Sequence, residues 1–188
     1  MNRSVLIVTG ILMVSVPVIA ADQKDDRARL DKIEQSLKAD VPRVLCLDDS
    51  FATGGQPTEQ AFAKVAASGF RSVLSLRGPG EGIDLNKERA LVEKTGLRYF
   101  NIPVISSAPR AEQADEFIRL VKEKSNHPML IHCSTANRVG AFMMIYRVLA
   151  QGWSEQKALD EALKIGLRGD ELKKFAQTYI AQHKAKHG

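Results

Sequence analysis

The sequence is short of the residues that build metal centres and disulfide scaffolds. Four histidines, two of them in the C-terminal tail, and two cysteines are spread over 188 residues with none of the spacings that hold zinc. No metal and no other cofactor is therefore expected. Cys46 and Cys133, 87 residues apart, allow at most one disulfide. No internal repeat, low-complexity stretch or second domain is visible, so one globular domain is the default for a chain that is 44% apolar. The apolar run at the front, Val5–Ile19, has 15 residues, short of the roughly 20 that a membrane span needs. The basic excess is mild, a formal charge of +5, and no nucleic-acid motif accompanies it. It supports a modest preference for anionic substrates and gives no reason to expect nucleic acid as a partner.

The front end has the composition of a leader. Arg3 lies in a short polar start. Val5–Ile19 is apolar with small interruptions, and Val18-Ile19-Ala20 precedes Ala21-Asp22. These read as the three parts of a signal peptide over residues 1–20, the rival being an uncleaved N-terminal anchor. No cysteine stands directly after the apolar run, so a lipoprotein is not expected. The expected product is periplasmic or secreted, with no stable membrane anchor after cleavage. Cleavage removes only Arg3 among the charged residues, taking the formal charge from +5 to +4. Residues 21–42 then form a helical extension and residues 43–188 the domain proper.

Leu30, Ile33 and Leu37 stand at helical spacing in the extension. Beyond it, apolar strands at 44–47, 71–76, 97–104 and 129–132 alternate with helices. Those helices cover Thr58–Ser68, Asp84–Thr95, Ala111–Ser125, Arg138–Gln151, Glu155–Ile165 and Gly169–His183. Phe51–Pro57 reads as a loop. Such alternation makes an α/β fold with a central, mainly parallel sheet flanked by helices. The helix from Arg138 is apolar nearly all round and therefore central. Two strands are expected to separate the cysteines by more than a disulfide can bridge.

The chemistry is concentrated in "MLIHCSTANRVGAFMMIYRVL", Met129 to Leu149. Ligands of such sheets bind at the carboxyl ends of the strands. Cys133 stands there, at the end of the most apolar strand. The next helix aims its N-terminus back at the loop, supplying free backbone N–H groups and partial positive charge. Loop amides turned inward would cradle an anion. The same field, with Arg138, favours the thiolate. Arg138 offers a planar fork for two phosphate oxygens. A cation at a helix N-terminus opposes the dipole, which suggests a use for it. A nucleophile, an anion cradle and a bidentate cation suit thiol-mediated phosphoryl transfer.

"IHCSTANRVGA" resembles the active-site loop of cysteine-dependent phosphatases of the tyrosine and dual-specificity type. "GGQPTEQAFAKVAASGFRSVLSLR" and "YFNIPV" are similar to the bacterial branch known as beta-lactamase-hydrolase-like phosphatases. The resemblance covers about Arg43 to Ala150. It implies a three-layer, dual-specificity-phosphatase-like sandwich with four to five strands. It also implies catalytic roles for Cys133 as nucleophile, Arg138 as phosphoryl ligand and His132 as orienter of the loop. The Ser134, Thr135, Ala136, Asn137 and Arg138 amides would bind phosphate. The implied partner is a phosphorylated protein or a small phosphate ester.

Three departures qualify the match. Four residues, not five, separate Cys133 from Arg138, a spacing that resembles rhodanese-like sulfurtransferases. The loop also has no glycine; Asn137 tolerates a left-handed backbone better than Ala136. Val139 stands where a hydroxyl residue often follows the arginine. Finally, "NIPVISSAPR" has no acid between Asn101 and Arg110. A general acid is worth roughly 10²–10⁴-fold. Glu81, beside three glycines and a proline with no obvious structural duty, and Asp84, which could equally cap a helix, are the candidates, with Asp48-Asp49 a third option. The missing acid favours aryl phosphates, whose leaving groups need less help. Three classes stay open: an exported phosphatase acting on phosphotyrosine-like esters, a sulfurtransferase using a Cys133 persulfide, and a non-catalytic phosphate-binding module.

Overall fold

The structure, a computed structural model, describes residues 18–185, with side chains described from residue 25 onward. Residues 1–17 of the expected leader lie outside the described residues. Helix α1 (Val18–Leu37) is followed by strands β1 (Leu45–Asp48) and β2 (Phe51–Gly54), helix α2 (Ala61–Ala67), β3 (Ser72–Ser75), α3 (Leu85–Lys94) and β4 (Arg98–Asn101). Then come α4 (Ala111–Lys122), a 3-10 turn at Lys124–Asn126, β5 (Met129–His132), α5 (Asn137–Gln151), α6 (Glu155–Ile165) and α7 (Asp170–Ala185).

The five strands form one sheet in the order β1-β2-β5-β3-β4. The β2/β5, β5/β3 and β3/β4 pairs are parallel, and only β1/β2 is antiparallel. Helices α4 to α7 cover one face and α1 to α3 the other, which completes the α/β three-layer sandwich. Side chains alternate along each strand. On β5, Met129 and Ile131 enter the core beneath α5, while Leu130 enters the core beneath α2 and α3. His132 therefore points to the face of Leu130, towards α3, and Cys133 to the face of α5.

Every residue from Arg138 to Val148 on α5 is buried, as its all-round apolar sequence requires. Gly140 lets α6 approach: a Cβ there would stand 2.7 Å from the Ala162 carbonyl oxygen. At the sheet edge, α1 satisfies β1. The Glu34 carboxylate accepts from Cys46 N–H at 2.8 Å, and the Arg27 guanidinium donates to Cys46 C=O at 3.2 Å, so the edge is covered.

Two expectations are corrected. Phe51–Gly54 is a strand, not a loop. It is fully buried and pairs with β5 in register Gly54–His132; four residues ending in glycine carry too little periodicity to announce it. Helix α2 begins at Ala61, three residues after Thr58. The Thr58 hydroxyl and N–H donate to Asp40 and tie the loop to the end of α1 instead. Both thiols are free, with β2 lying between the strands that carry them.

Candidate active site

Cys133 leaves β5 at the carboxyl edge of the sheet and is 1% exposed. Ser134 and Thr135 are exposed, and Arg138 opens α5. Among the described residues, the backbone N–H groups of Ser134, Thr135, Asn137 and Arg138 have no protein acceptor, while that of Ala136 faces Gly54 C=O in the bridge between Gly55 and Thr135. Together with the N-terminus of a 15-residue helix they place partial positive charge beside the thiol. The left-handed residue is Ala136, at φ 65°, ψ 2°. Asn137 is helical, and its Oδ1 accepts from the N–H groups of Arg168 and Gly169 at 2.9 and 3.3 Å. Its amide side chain fastens the loop to the α6–α7 connection, and a non-glycine φ > 0 at Ala136 costs about 1–2 kcal/mol that the packing must offset.

The loop rests on Gly54-Gly55-Gln56-Pro57. Gln56 N–H donates to Ser134 C=O at 3.1 Å, and Gly55 bridges Thr135. A Cβ on Gly55 would meet the Ser134 carbonyl oxygen at 3.0 Å and that of Pro42 at 3.1 Å. The turn signal in this motif thus has a second duty, as the platform beneath the thiol loop.

Arg138 is 4% exposed and fully engaged on one edge. Nη1 donates to Glu81 Oε1 at 2.6 Å and to Val104 C=O at 2.7 Å; Nη2 donates to Glu81 Oε2 at 2.7 Å. No oxygen accepts from its Nε–H among the described residues, and the Cys133 thiol is the guanidinium's other partner, so the Nε–Nη2 edge is the one open to a ligand beside the sulfur. Burial works against this charge, but Glu81 and Cys133 outweigh it and raise the guanidinium pKa. Glu81 also accepts from Arg77 Nε and Gly78 N–H, each at 2.7 Å. Burial alone would raise the Glu81 carboxyl, yet Arg138, Gly78 and Arg77 hold it down to about 2. In this arrangement Glu81 is a fixed anion that aims two arginines, and it has no proton to give at neutral pH. Asp84 caps α3, accepting from Asn86 and Lys87 N–H at 2.9 and 3.0 Å, and faces a different pocket. Asp48 receives Ser50 and Phe51 N–H and pairs with Arg147, far along α5.

An open groove of about 590 Å³ leads to Arg138. Pro79, Pro103, Ile105 and Ala108 form apolar walls, and Arg110 stands at its rim. Glu81 is the one carboxylate lining it. A groove of about 620 Å³ beside Trp153 and Lys164 contains none of the loop residues.

The family model described as a DSP-PTPase phosphatase fused to NAD+ kinase matches residues 25–185. The chain belongs to this phosphatase family. Family members of this type are phosphoric monoester hydrolases. A beta-lactamase hydrolase-like protein of Xylella fastidiosa is 25% identical over 140 residues, covering 73% of this chain but only 29% of the relative's own length. The dual specificity protein phosphatase TpbA of Pseudomonas aeruginosa is 29% identical over 97 residues, half of this chain and 44% of TpbA. The crystal structure of a TpbA variant with phosphotyrosine superposes with a TM-score of 0.58 at 20% identity, covering 73% of this chain and 82% of that one. A DUF442 protein of Shewanella putrefaciens superposes at 0.66 with 22% identity, covering 80% and 94%.

Several supporting residues, some of them inside the quoted motifs, had no role assigned from the sequence. Gln56 Nε2 donates to Glu88 at 2.6 Å, and its Oε1 accepts from Arg77 Nη1 at 2.7 Å. Arg77 is 6% exposed and Glu88 4%. Tyr99 O–H donates to Glu88 Oε1 at 2.8 Å. Glu88 lies on α3, one of several charged residues on that helix, and nothing local to the helix sets it apart from them. Among the described residues no cluster of three histidine, cysteine or carboxylate side chains is placed to hold a metal ion.

Proposed function

We propose that this phosphatase-family chain hydrolyses aryl phosphate monoesters of the phosphotyrosine type through a phosphocysteine at Cys133. The carrying observation is the Cys133 thiol beside unpaired loop amides and the pre-aimed Nε–Nη2 edge of Arg138. The thiolate attacks phosphorus and the aryloxide departs with the P–O bonding pair. The amides and Arg138 hold the three equatorial oxygens as charge spreads over them. Water then attacks the phosphocysteine, releasing phosphate and the thiolate. The apolar groove walls suit an aromatic ring, and TpbA, a relative, has been crystallised with phosphotyrosine. With Glu81 committed to Arg138 and Arg77, the groove offers no carboxylic acid to protonate an alkoxide. A phenolate needs that proton less, so aryl esters should exceed alkyl esters by roughly the 10²–10⁴-fold of a general acid.

The test is turnover of the reduced protein on an aryl phosphate, an alkyl phosphate, and thiosulfate with cyanide, alongside Cys133→Ser. Aryl turnover that disappears in the variant is the expected result. Thiocyanate formation without phosphate release would replace this reading with sulfur transfer, the alternative that the four-residue loop favours. Export is part of the proposal, supported by the composition of residues 1–20. N-terminal sequencing after expression from the native start should begin at Ala21; an intact Met1 end would refute it.

A further inference from the structure

His132 is a buried polar side chain that the site leaves unsatisfied. It is 0% exposed, and neither ring nitrogen has a hydrogen-bond partner among the described residues. A buried polar group left in this way costs about 1–3 kcal/mol, and such exceptions call for an explanation. Its Nε2 lies 3.5 Å from Glu88 Oε1, too long for a firm hydrogen bond but close for two charges. Glu88 is itself a buried carboxylate, reached from α3, with Gln56 on one oxygen and Tyr99 on the other.

We propose that Glu88 is a positioning residue for the Cys133 thiolate, acting through the ring of His132. The proposal rests on Cys133 being the nucleophile. The geometry is a chain of contacts: Glu88 on α3, His132 as the last residue of β5, Cys133 as the next residue. Strand alternation turns His132 towards α3 and Cys133 towards the ligand, so the histidine joins a buried anion to the back of the thiol loop. An anion at that distance fixes the orientation of the ring at the end of β5, and that orientation sets the electrostatic field behind the thiol loop. The other groups facing this pair are Tyr99 from β4, with Arg89 over its ring at 4.9 Å, and Arg77, reached through Gln56. Glu59 and Asp84 line the pocket beside Glu88, but Glu59 pairs with Lys87 and Asp84 caps α3, and Glu81 is held by Arg77 and Arg138, so Glu88 is the carboxylate that meets the ring.

The test is the thiolate ultraviolet absorbance of folded protein titrated with pH, with Cys133→Ser subtracted. Burial pushes the Cys46 thiol up to about 12, so it stays silent over the working range. In Glu88→Gln the Cys133 signal should rise about one pH unit later than in wild type, a tenfold loss of thiolate at a fixed pH on the lower limb. Glu88→Asp withdraws the carboxylate by one methylene and should move the signal the same way by less, which keeps the test open where Glu88→Gln does not fold. Tyr99→Phe loosens the same network without removing the anion and should not delay the signal. With His132→Asn already present, Glu88→Gln should add nothing. Curves for either Glu88 variant that superimpose on wild type overturn the proposal. So does a delay that persists without His132. A wild type with the expected titration but no aryl phosphatase turnover would refute the proposed function and leave this coupling standing.

Discussion

At the level of single residues, the site turns on where each charge finds its partner. Glu81 illustrates this best. In the sequence it stands among glycines with no evident duty and is a candidate proton donor. In the fold its two oxygens span Arg138 while also receiving Arg77 and Gly78, so it serves as an orienting anion. A carboxylate in a fork–fork pair fixes the plane of the guanidinium, and that plane decides whether Nε and Nη2 meet a phosphoryl group. Glu81→Gln keeps the size and one acceptor but removes the charge and the second acceptor. It should lower kcat/KM for an aryl phosphate by about 10- to 100-fold, the scale expected when a clamp is misaligned by a fraction of an ångström. A general acid would show another signature: loss of the basic limb of the kcat profile, and a larger loss for alkyl than for aryl esters. Steady-state rates of Glu81→Gln on both ester types across pH distinguish the two roles. A uniform fall on both esters with an unchanged profile is the expected outcome.

At the level of elements, the sequence reveals those whose pattern is self-contained. β5 and α6 lie at the residues their apolar run and Ser154 cap indicate, and α5 starts one residue earlier than its pattern suggests. The N-cap duty of Asp84 was one of two readings open from its position before a helix, and the hydrogen bonds to Asn86 and Lys87 select it. What was hidden depends on contacts across the chain. β2 has four residues, and its identity comes from pairing with β5, nearly 80 residues away in sequence. The role of Gly55 is likewise relational: its missing side chain matters only because the Ser134 and Pro42 carbonyls close on it from distant segments. The same holds for Ala136. Local preference points to Asn137 as the left-handed residue of the loop, but Asn137 is held helical by its bonds to Arg168 and Gly169, and the strained conformation moves to its neighbour. Cys133, Arg138 and the cradle were legible because one short segment contains them. The contacts that support them were not, because Gln56, Arg77, Glu88 and the partners of Glu81 come together from separate segments.

For the whole molecule, these supports join catalysis to stability. Glu88 sits in the core between α3 and the sheet. Burial would raise its carboxyl, but His132, Gln56 and Tyr99 outweigh that and bring it down to about 2 from an ordinary 4.5. A carboxylate whose folded value is depressed stabilises the fold at pH above its unfolded value, and the contribution is lost as pH falls through the folded value. The window here is therefore from about pH 4.5 down to about 2. The size is on the order of 2–3 kcal/mol for a nearly buried group of this kind. Glu81 is depressed over the same window and adds in the same direction. Urea unfolding followed at a series of pH values should show stability nearly level above pH 5 and falling steeply below 4.5. Glu88→Gln should be the less stable protein at neutral pH, with the gap to wild type closing as pH approaches 2, because the wild-type carboxylate is then protonated too. Curves that stay parallel down to pH 2 would mean that the buried carboxylate is not what makes the fold acid-sensitive. Convergence would place a single buried carboxylate, Glu88, behind the acid limit of the fold.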